Sequence, residues 1–432
     1  MLSMPRSYIY SLVTFSTLLV ANANAFEVGI GMHVRTYPNE PGYYLSKVKE
    51  AGFTSFREDY PWHLVETKKS VYANSQILNK VDTAFAMGSD KYGLSSVLIL
   101  DYSNELYDPS GYPSTDAAIA AFANYSYWTA KRFKGKVKYF EIWNEWLYKT
   151  GVHVRSAVPP SPEVYAKLVA AVSKAVKRAD PDAIVITGSF SPFSQRDVAW
   201  FDRLIDLGIL NYIDGISLHT YTPSGSSGDI RTAEGNLQLI DAYQKHVTEK
   251  SGKQMPIYIT EVGFPTYSGK DGLSSDKVAQ YVMKYTLLAS AKGYIKGVWW
   301  YDFMDDGNAD NKKEHNFGFF KRNESPKESV SAIGTLSDFI NNYSISNASK
   351  EKDGTNIITM KNNRSSKFAT IYWRDEVLPE KSDLSRMIQN FKSSNDNEKV
   401  KFMNVYNGSV GYPNSSSIPT VIYSDGKSVS IK

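Results

Sequence analysis

Apolar positions in this chain gather into short, nearly continuous runs at 26–34, 53–59, 96–102, 137–143, 183–189, 213–219, 256–261 and 295–303. Runs of this length with few polar interruptions suit parallel strands buried on both faces. Between them the period changes. In 162–178, Val164, Leu168, Ala171, Val172 and Ala175 recur at helical spacing behind Pro162, and 116–133, 198–207, 235–250 and 275–292 read the same way. Strand and helix alternate until eight strands have passed, which predicts an α/β fold, a closed (β/α)8 TIM barrel. An open doubly wound sheet is the competitor, but it would want a glycine-rich phosphate loop after the first strand. Gly29-x-Gly31 is followed by Met32-His33, with no third glycine in register.

After a last helical stretch at 326–341 the pattern shifts again. Ser, Asn and Lys rise, and short strand candidates appear at 356–360, 369–373, 399–405, 420–423 and 428–432. Turn dipeptides separate them (Asp353-Gly354, Asn407-Gly408, Asp425-Gly426), which predicts a small antiparallel, β-sandwich-like domain over 344–432. The polar segment 379–398 is expected to be a mobile loop, and no paired acid stands at a strand rim in this domain. At the other end, Arg6, a largely apolar stretch at 9–20 and Ala23-Asn24-Ala25 have the order of a secretory signal peptide. Residues 1–25 are therefore expected to be removed, leaving a catalytic barrel at 26–343 and a secreted or periplasmic protein. The apolar stretch is short for a membrane span, and no later segment qualifies as one.

Composition excludes more than it selects. The 432 residues are 42% hydrophobic and 22% charged, enough for one large barrel and a small extra domain. A net charge of +4 with no dense Lys/Arg run gives no reason to expect nucleic acid. Cysteine is absent, so disulfides, thiolate metal sites and thiol nucleophiles are ruled out. Aromatics reach 13%, with 30 Tyr and 8 Trp. They serve core packing or stacking on sugar rings, and composition alone does not separate the two. A monomer is expected.

Chemistry concentrates at strand ends, where a barrel of this kind places its active site. Tyr139-Phe140-Glu141-Ile142-Trp143-Asn144-Glu145-Trp146 ends the fourth strand on Glu145, and Pro256-Ile257-Tyr258-Ile259-Thr260-Glu261-Val262-Gly263-Phe264 ends the seventh on Glu261. Two carboxylates on one rim can cleave a glycosidic bond, one protonating the leaving oxygen while the other attacks the sugar or activates water. Arg57 ends the second strand, His219 and Tyr221 the sixth, and Trp299-Trp300-Tyr301-Asp302 the eighth. Plainer readings stand beside these. A lone strand-end Glu is more often structural, Arg57 has Glu58 and Asp59 as alternative ion-pair partners, and His219 is as readily a core histidine. Trp146, Trp62 and Tyr102 are sugar platforms or loop packing, and Glu141 shares the face of Glu145 at greater depth. Asp305-Asp306-Gly307 with Asp310 resembles an acidic calcium loop but lacks the full ligand series, so a solvated or substrate-contacting loop is expected. No metal or other cofactor is required by this chemistry.

Ile142-Trp143-Asn144-Glu145 and Ile259-Thr260-Glu261 resemble the acid/base and nucleophile motifs of clan A glycoside hydrolases. The finer pattern is similar to family 39 and its exopolysaccharide-hydrolase relatives, with support from 98–104, 299–302 and 316–320. The resemblance implies Glu145 as acid/base, Glu261 as nucleophile and Asn144 as partner of the sugar 2-hydroxyl. It implies that Arg57 supports the nucleophile, that His219 and Tyr221 flank the carboxylates, and that Trp300 is the platform under the cleaved sugar; Trp146 is a further candidate contact. The pKa values of the two glutamates should then be pushed apart, with Glu145 carrying a proton. The expected activity is retaining hydrolysis of a polysaccharide or oligosaccharide, endo-acting on an exopolysaccharide. The alternatives are an exo-acting β-xylosidase-like enzyme, a cellulase or xylanase type, or a non-catalytic polysaccharide-binding barrel.

Overall fold

The computed structural model describes residues 26–73, 75–152, 154, 156–222, 228–270, 272–352, 354–374, 401–404 and 419–425. The predicted leader, the 379–398 loop and the 428–432 strand lie outside the described residues.

Eight parallel strands form the barrel: β1 (Glu27–Gly31), β2 (Ser55–Pro61), β3 (Ser95–Asp101), β4 (Tyr139–Ile142), β5 (Ile184–Thr187), β6 (Ile216–His219), β7 (Ile257–Val262) and β8 (Ile295–Trp300). They are hydrogen-bonded in the order β5-β4-β3-β2-β1-β8-β7-β6. The two free ends meet through the isolated parallel bridges Ile186↔Gly215 and Phe190↔Leu218. Asp214 N donates to Val185 O at 2.7 Å and His219 N to Phe190 O at 3.0 Å across the same seam, so the barrel is closed.

The helices are α1 (Pro41–Glu50), α2 (Trp62–Val65), α3 (Asn79–Asp90), α4 (Asp116–Arg132), α5 (Pro162–Ala179), α6 (Gln195–Asp206), α7 (Ala233–Ser251), α8 (Ser275–Ser290) and α9 (Glu328–Asn342). In α5, Leu168, Val172 and Ala175 of the predicted stripe are buried, while Val164 and Ala171 are half-buried and Tyr165, Val169 and Val176 join the buried face. Pro162 opens that helix, and Lys177 and Arg178 sit in its last turn, where cations favour the negative end of the dipole.

Inside the barrel the side chains stack in layers. Val97, Tyr139, Ile186, Tyr258 and Trp299 form a buried apolar layer. Gly29 makes room for it: a Cβ there would lie 2.0 Å from Trp299 Cδ1. One inward step further along β4 and β7 come Glu141 and Thr260, and the interior turns polar. That change of layer is what sets charged groups beneath the C-terminal rim.

A five-stranded antiparallel sheet follows, in the order β12-β13-β11-β10-β9. Its strands are β9 (Tyr343–Lys350), β10 (Asn356–Asn362), β11 (Lys367–Trp373), β12 (Lys401–Asn404) and β13 (Thr420–Asp425). The sheet docks on the barrel's helices. Asn356 Nδ2 and Trp373 Nε1 both donate to Glu234 Oε1 of α7, at 3.1 and 2.9 Å. Phe339 of α9 stacks on Tyr423 with ring centroids 6.0 Å apart.

Candidate active site

Arg57 organises the floor of the site. It rises from β2, is 4% exposed, and reaches three groups from two other strands and the turn after one of them. Its Nε donates to Glu141 Oε2 at 2.7 Å, Nη1 to Glu261 Oε1 at 2.6 Å and Nη2 to Asn144 Oδ1 at 3.0 Å. Glu141 takes further hydrogen bonds on Oε1 from Ser217 Oγ at 2.7 Å and Thr260 Oγ1 at 3.3 Å. Burial works against the guanidinium charge, but Glu141 and Glu261 outweigh it and raise the Arg57 pKa. Of the two partners that sequence allowed, neither Glu58 nor Asp59 takes the Arg57 ion pair; Glu58 Oε2 instead accepts from Val34 N at 2.8 Å.

Glu261 ends β7 with both oxygens held, Oε1 by Arg57 and Oε2 by the Tyr221 hydroxyl at 2.8 Å. Glu145 lies just past β4, in a left-handed turn with φ 49° and ψ 55°, close behind Trp143 at φ 72°. Non-glycine residues in this region cost on the order of 1–3 kcal/mol each, and such strain collects at functional sites. Thr150 Oγ1 donates to Glu145 Oε2 at 2.7 Å, and His219 Nδ1 lies 2.9 Å from Oε1. His219 Nε2 is 3.5 Å from Glu261 Oε1, so the imidazole stands between the two carboxylates. One oxygen of each glutamate and a His219 nitrogen all lie within 4.8 Å of one another. That spacing could hold a metal ion, yet Arg57, Tyr221 and Thr150 already supply a charge and donors to these carboxylates. Asn144 is fixed on both sides, Oδ1 by Arg57 and by Ser189 Oγ at 3.0 Å, and Nδ2 by Tyr102 at 3.3 Å.

The contacts around Glu145 pull its carboxyl in the direction opposite to the one expected. Burial would raise its carboxyl, but the His219 contact, the Thr150 hydroxyl and the charge of Arg57 outweigh burial and bring it down to about 2. The reason is tertiary: His219 and Thr150 come from 74 and 5 residues away along the chain, and no local pattern announces them.

These groups line a cleft of about 710 Å³. Its aromatic walls are Tyr102, Tyr148, Phe193, Tyr221, Tyr301 and Phe317, and His33, Asp59 and Glu314 also face it. Two expected contacts are elsewhere. Trp300 is 1% exposed and packs outward on Tyr281, Tyr285 and Phe319, because side chains alternate along β8. Trp299 fills the barrel and Tyr301 takes the place at the rim. Trp146 is also 1% exposed, buried against Tyr112, Trp143 and Tyr165. Trp62 is packing as well, stacked on Tyr107, whereas Tyr102 is in the cleft. Trp300→Ala is accordingly expected to cost about 3–5 kcal/mol in urea unfolding, as core tryptophan truncations do, while kcat/KM of the folded protein stays within about threefold. A loss of kcat/KM beyond about tenfold without that destabilisation would return Trp300 to the cleft.

The acidic loop also resolves differently from expectation. Asp305 turns inward, 5% exposed, and Lys327 Nζ sits against it at 2.7 Å, with Thr266 Oγ1 at 2.9 Å and Asn316 O at 3.2 Å. An ammonium group thus takes the place a cation would have had.

The family model described as "Cellulase (glycosyl hydrolase family 5)" matches residues 21–302, well over half of the chain. No curated protein matches it in sequence. Among solved structures, a family 39 glycoside hydrolase from Bacteroides cellulosilyticus WH2 superposes with a TM-score of 0.69 at 21% identity, covering 94% of this chain and 81% of its own. A glucosidase from Croceicoccus marinus follows at TM-score 0.61 and 13% identity, covering 93% and 96%. Xylanase 10B from Thermotoga maritima reaches 0.52 at 15%, covering 73% and 95%. At these identities the structures speak for the fold, the family match for membership. The chain belongs to the cellulase family, glycosyl hydrolase family 5, and is an O-glycosyl hydrolase of clan A.

Proposed function

We propose that this protein is a secreted, retaining endo-glycosidase that cleaves a polysaccharide, of exopolysaccharide or plant-wall type, by double displacement. The observation that carries the reading is the facing pair: Glu261 held at both oxygens by Arg57 and Tyr221, with Glu145 opposite and their nearer oxygens within 4.8 Å. Carboxyl groups about 5–5.5 Å apart suit retention, whereas inversion needs a gap wide enough for water. A Glu261 oxygen attacks the anomeric carbon as the bond to the leaving oxygen breaks, and Glu145 gives that oxygen a proton. Glu145 then takes a proton from water as the water opens the glycosyl–enzyme ester. Burial raises the Glu145 carboxyl, but the His219 contact, the Thr150 hydroxyl and the charge of Arg57 outweigh it, so the proton that Glu145 gives to the leaving oxygen is taken up from solvent as the sugar binds. Asn144, fixed by Arg57 and Ser189, presents its amide to the sugar 2-hydroxyl.

The number of aromatic rings lining the cleft, Tyr102, Tyr148, Phe193, Tyr221, Tyr301 and Phe317, favours a chain lying through it over a pocket for a chain end. The test is incubation of purified protein with a polysaccharide panel, read by reducing ends and product length. Cellulose and xylan belong in it because of the family match and the xylanase neighbour, beside bacterial exopolysaccharides. Early release of long oligosaccharides supports endo-cleavage, and monosaccharide alone would move the reading to exo-action. Binding without any new reducing end would leave a polysaccharide-binding barrel.

A further inference from the structure

Two carboxyl groups beside the catalytic pair have no part in the chemistry above. Asp59 stands two residues beyond Arg57 on β2, and Asp101 ends the neighbouring strand β3, where Pro61 is its register partner. Both positions fall in the inward phase of their strands, the phase of Arg57 and of Val97. Asp59 lines the cleft. Asp101 lies against Asp59, fully buried, and neither of its oxygens has a hydrogen-bond partner from another donor among the described residues. A buried carboxyl without partners is costly as an anion and inexpensive as an acid that has an acceptor next to it. Asp59 is that acceptor: burial first, then the charge of Asp59, hold the Asp101 carboxyl well above the usual range, with Arg57 opposing and Glu141 adding to the effect. Tyr125 from α4 and the adjacent Tyr102 are the other titratable groups against it.

The basic groups of the cleft have their contacts with other partners. Arg57 is engaged by Glu141, Glu261 and Asn144. Lys313 lies over the Phe317 ring at 5.9 Å, and His33 has its Nε2 3.9 Å from Asp302. Tyr102 is the nearest donor to Asp59, with its hydroxyl 3.5 Å from Oδ1. Asp59 thus faces the cleft as an acceptor, with the Asp101 side chain against it.

We propose that Asp59 is the specificity-determining residue of the cleft: with the Asp101 side chain against it, it accepts adjacent hydroxyls of an uncharged sugar and repels uronates. Asp101 acts through Asp59 and is a positioning residue. The proposal rests on the hydrolase reading, since it takes the cleft to be a sugar site.

The test uses the full chain silenced by Glu145→Gln and Glu261→Gln, titrated calorimetrically with the hexasaccharides of cellulose, xylan and mannan, a glucosamine hexamer and a galacturonate hexamer. At least one neutral hexasaccharide should bind, with the galacturonate hexamer weaker by about 30-fold or more. Adding Asp59→Asn should weaken the neutral ligand by about 30-fold and close the gap to the uronate. Asp101→Ala should lose as much, and Asp101→Asn, which keeps an N–H donor, should recover to within about fivefold of the parent. A merely structural role for Asp101 would not move the neutral-to-uronate ratio. The proposal is overturned if no neutral hexasaccharide binds, if the uronate binds as tightly, or if Asp59→Asn changes affinity less than about threefold. It is equally overturned if the glucosamine hexamer binds more than about tenfold tighter than every neutral one, which would mark an ammonium site. Failure of the hydrolase reading shows separately, as wild-type protein releasing no reducing ends.

Discussion

Glu261→Ala is expected to abolish turnover, by about 10⁴-fold or more, and to be rescued by azide with inverted product configuration. The side chain that Arg57 and Tyr221 hold toward the cleft is then gone, no glycosyl–enzyme forms, and a small anion can occupy its place and attack the sugar directly. Glu145→Ala should fail differently. Without the proton donor, poor leaving groups suffer most, so an aryl glycoside with a good leaving group keeps its first step and stalls at the second. Azide should then open the glycosyl–enzyme and give product of retained configuration, recovering part of a loss of about 10²–10⁴-fold. Rates and product anomers of both variants, measured by NMR with and without azide, decide the assignment. Exchanged stereochemical outcomes would mean that the two roles are swapped, and wild-type rates in either variant would remove that residue from the mechanism.

Arg57→Met should cost both stability and activity. Glu141 is fully buried, and its charge is balanced at 2.7 Å by Arg57 Nε. Removing one partner of such a buried pair strands the other charge, a loss of about 3–5 kcal/mol. Urea unfolding should show this as a lower midpoint with little change in slope. Adding Glu141→Leu to Arg57→Met should recover much of the stability without recovering activity, because Glu261 and Asn144 still lack the Arg57 donors. A loss below about 1 kcal/mol in the single variant would mean that Ser217 and Thr260 suffice to hold Glu141. Arg57→Lys keeps a charge but not the three-way fork, so it should fold better than the Met variant and still turn over poorly.

The barrel was readable because parallel strands buried on both faces leave continuous apolar runs, and the residue closing each run is the one the rim exposes. His219 closes its strand, Glu261 is the last but one residue of β7, and Glu145 and Tyr221 stand just beyond theirs. Arg57, expected at the end of β2, is instead its third residue and reaches the cleft by its length; the structure gathers all five around one cleft. Trp300 was misplaced because three aromatics in a row, Trp299, Trp300 and Tyr301, carry no phase: alternation decides which faces out, and nothing in residue type marks it. Trp146 follows the strand into a turn, where period-two reasoning no longer applies. Thr150, Tyr148 and Phe193 reach the cleft from loops, and Asp59 was weighed only as a partner for Arg57; single polar or aromatic residues there have no periodicity to be found by. Strand β9 was missed for another reason. It is an edge of mostly polar residues, none of them buried, so no apolar alternation marks it. The low pKa of Glu145 could not be read at all, since it is made by a histidine two strands away.

The seam between β5 and β6 carries a consequence of its own. Every other junction around the barrel is a paired ladder, whereas this one rests on isolated bridges and a few single hydrogen bonds. Glu145 stands on one side of it, beyond β4, and its partner His219 on the other, at the end of β6. The arc from β2 through β1 and β8 to β7, which carries the Arg57–Glu261 anchor, is unbroken. Any widening of this joint would part Glu145 from His219 while the ladders keep Arg57 on Glu261, so how closely one carboxylate meets the imidazole depends on the tightness of a single joint in the barrel.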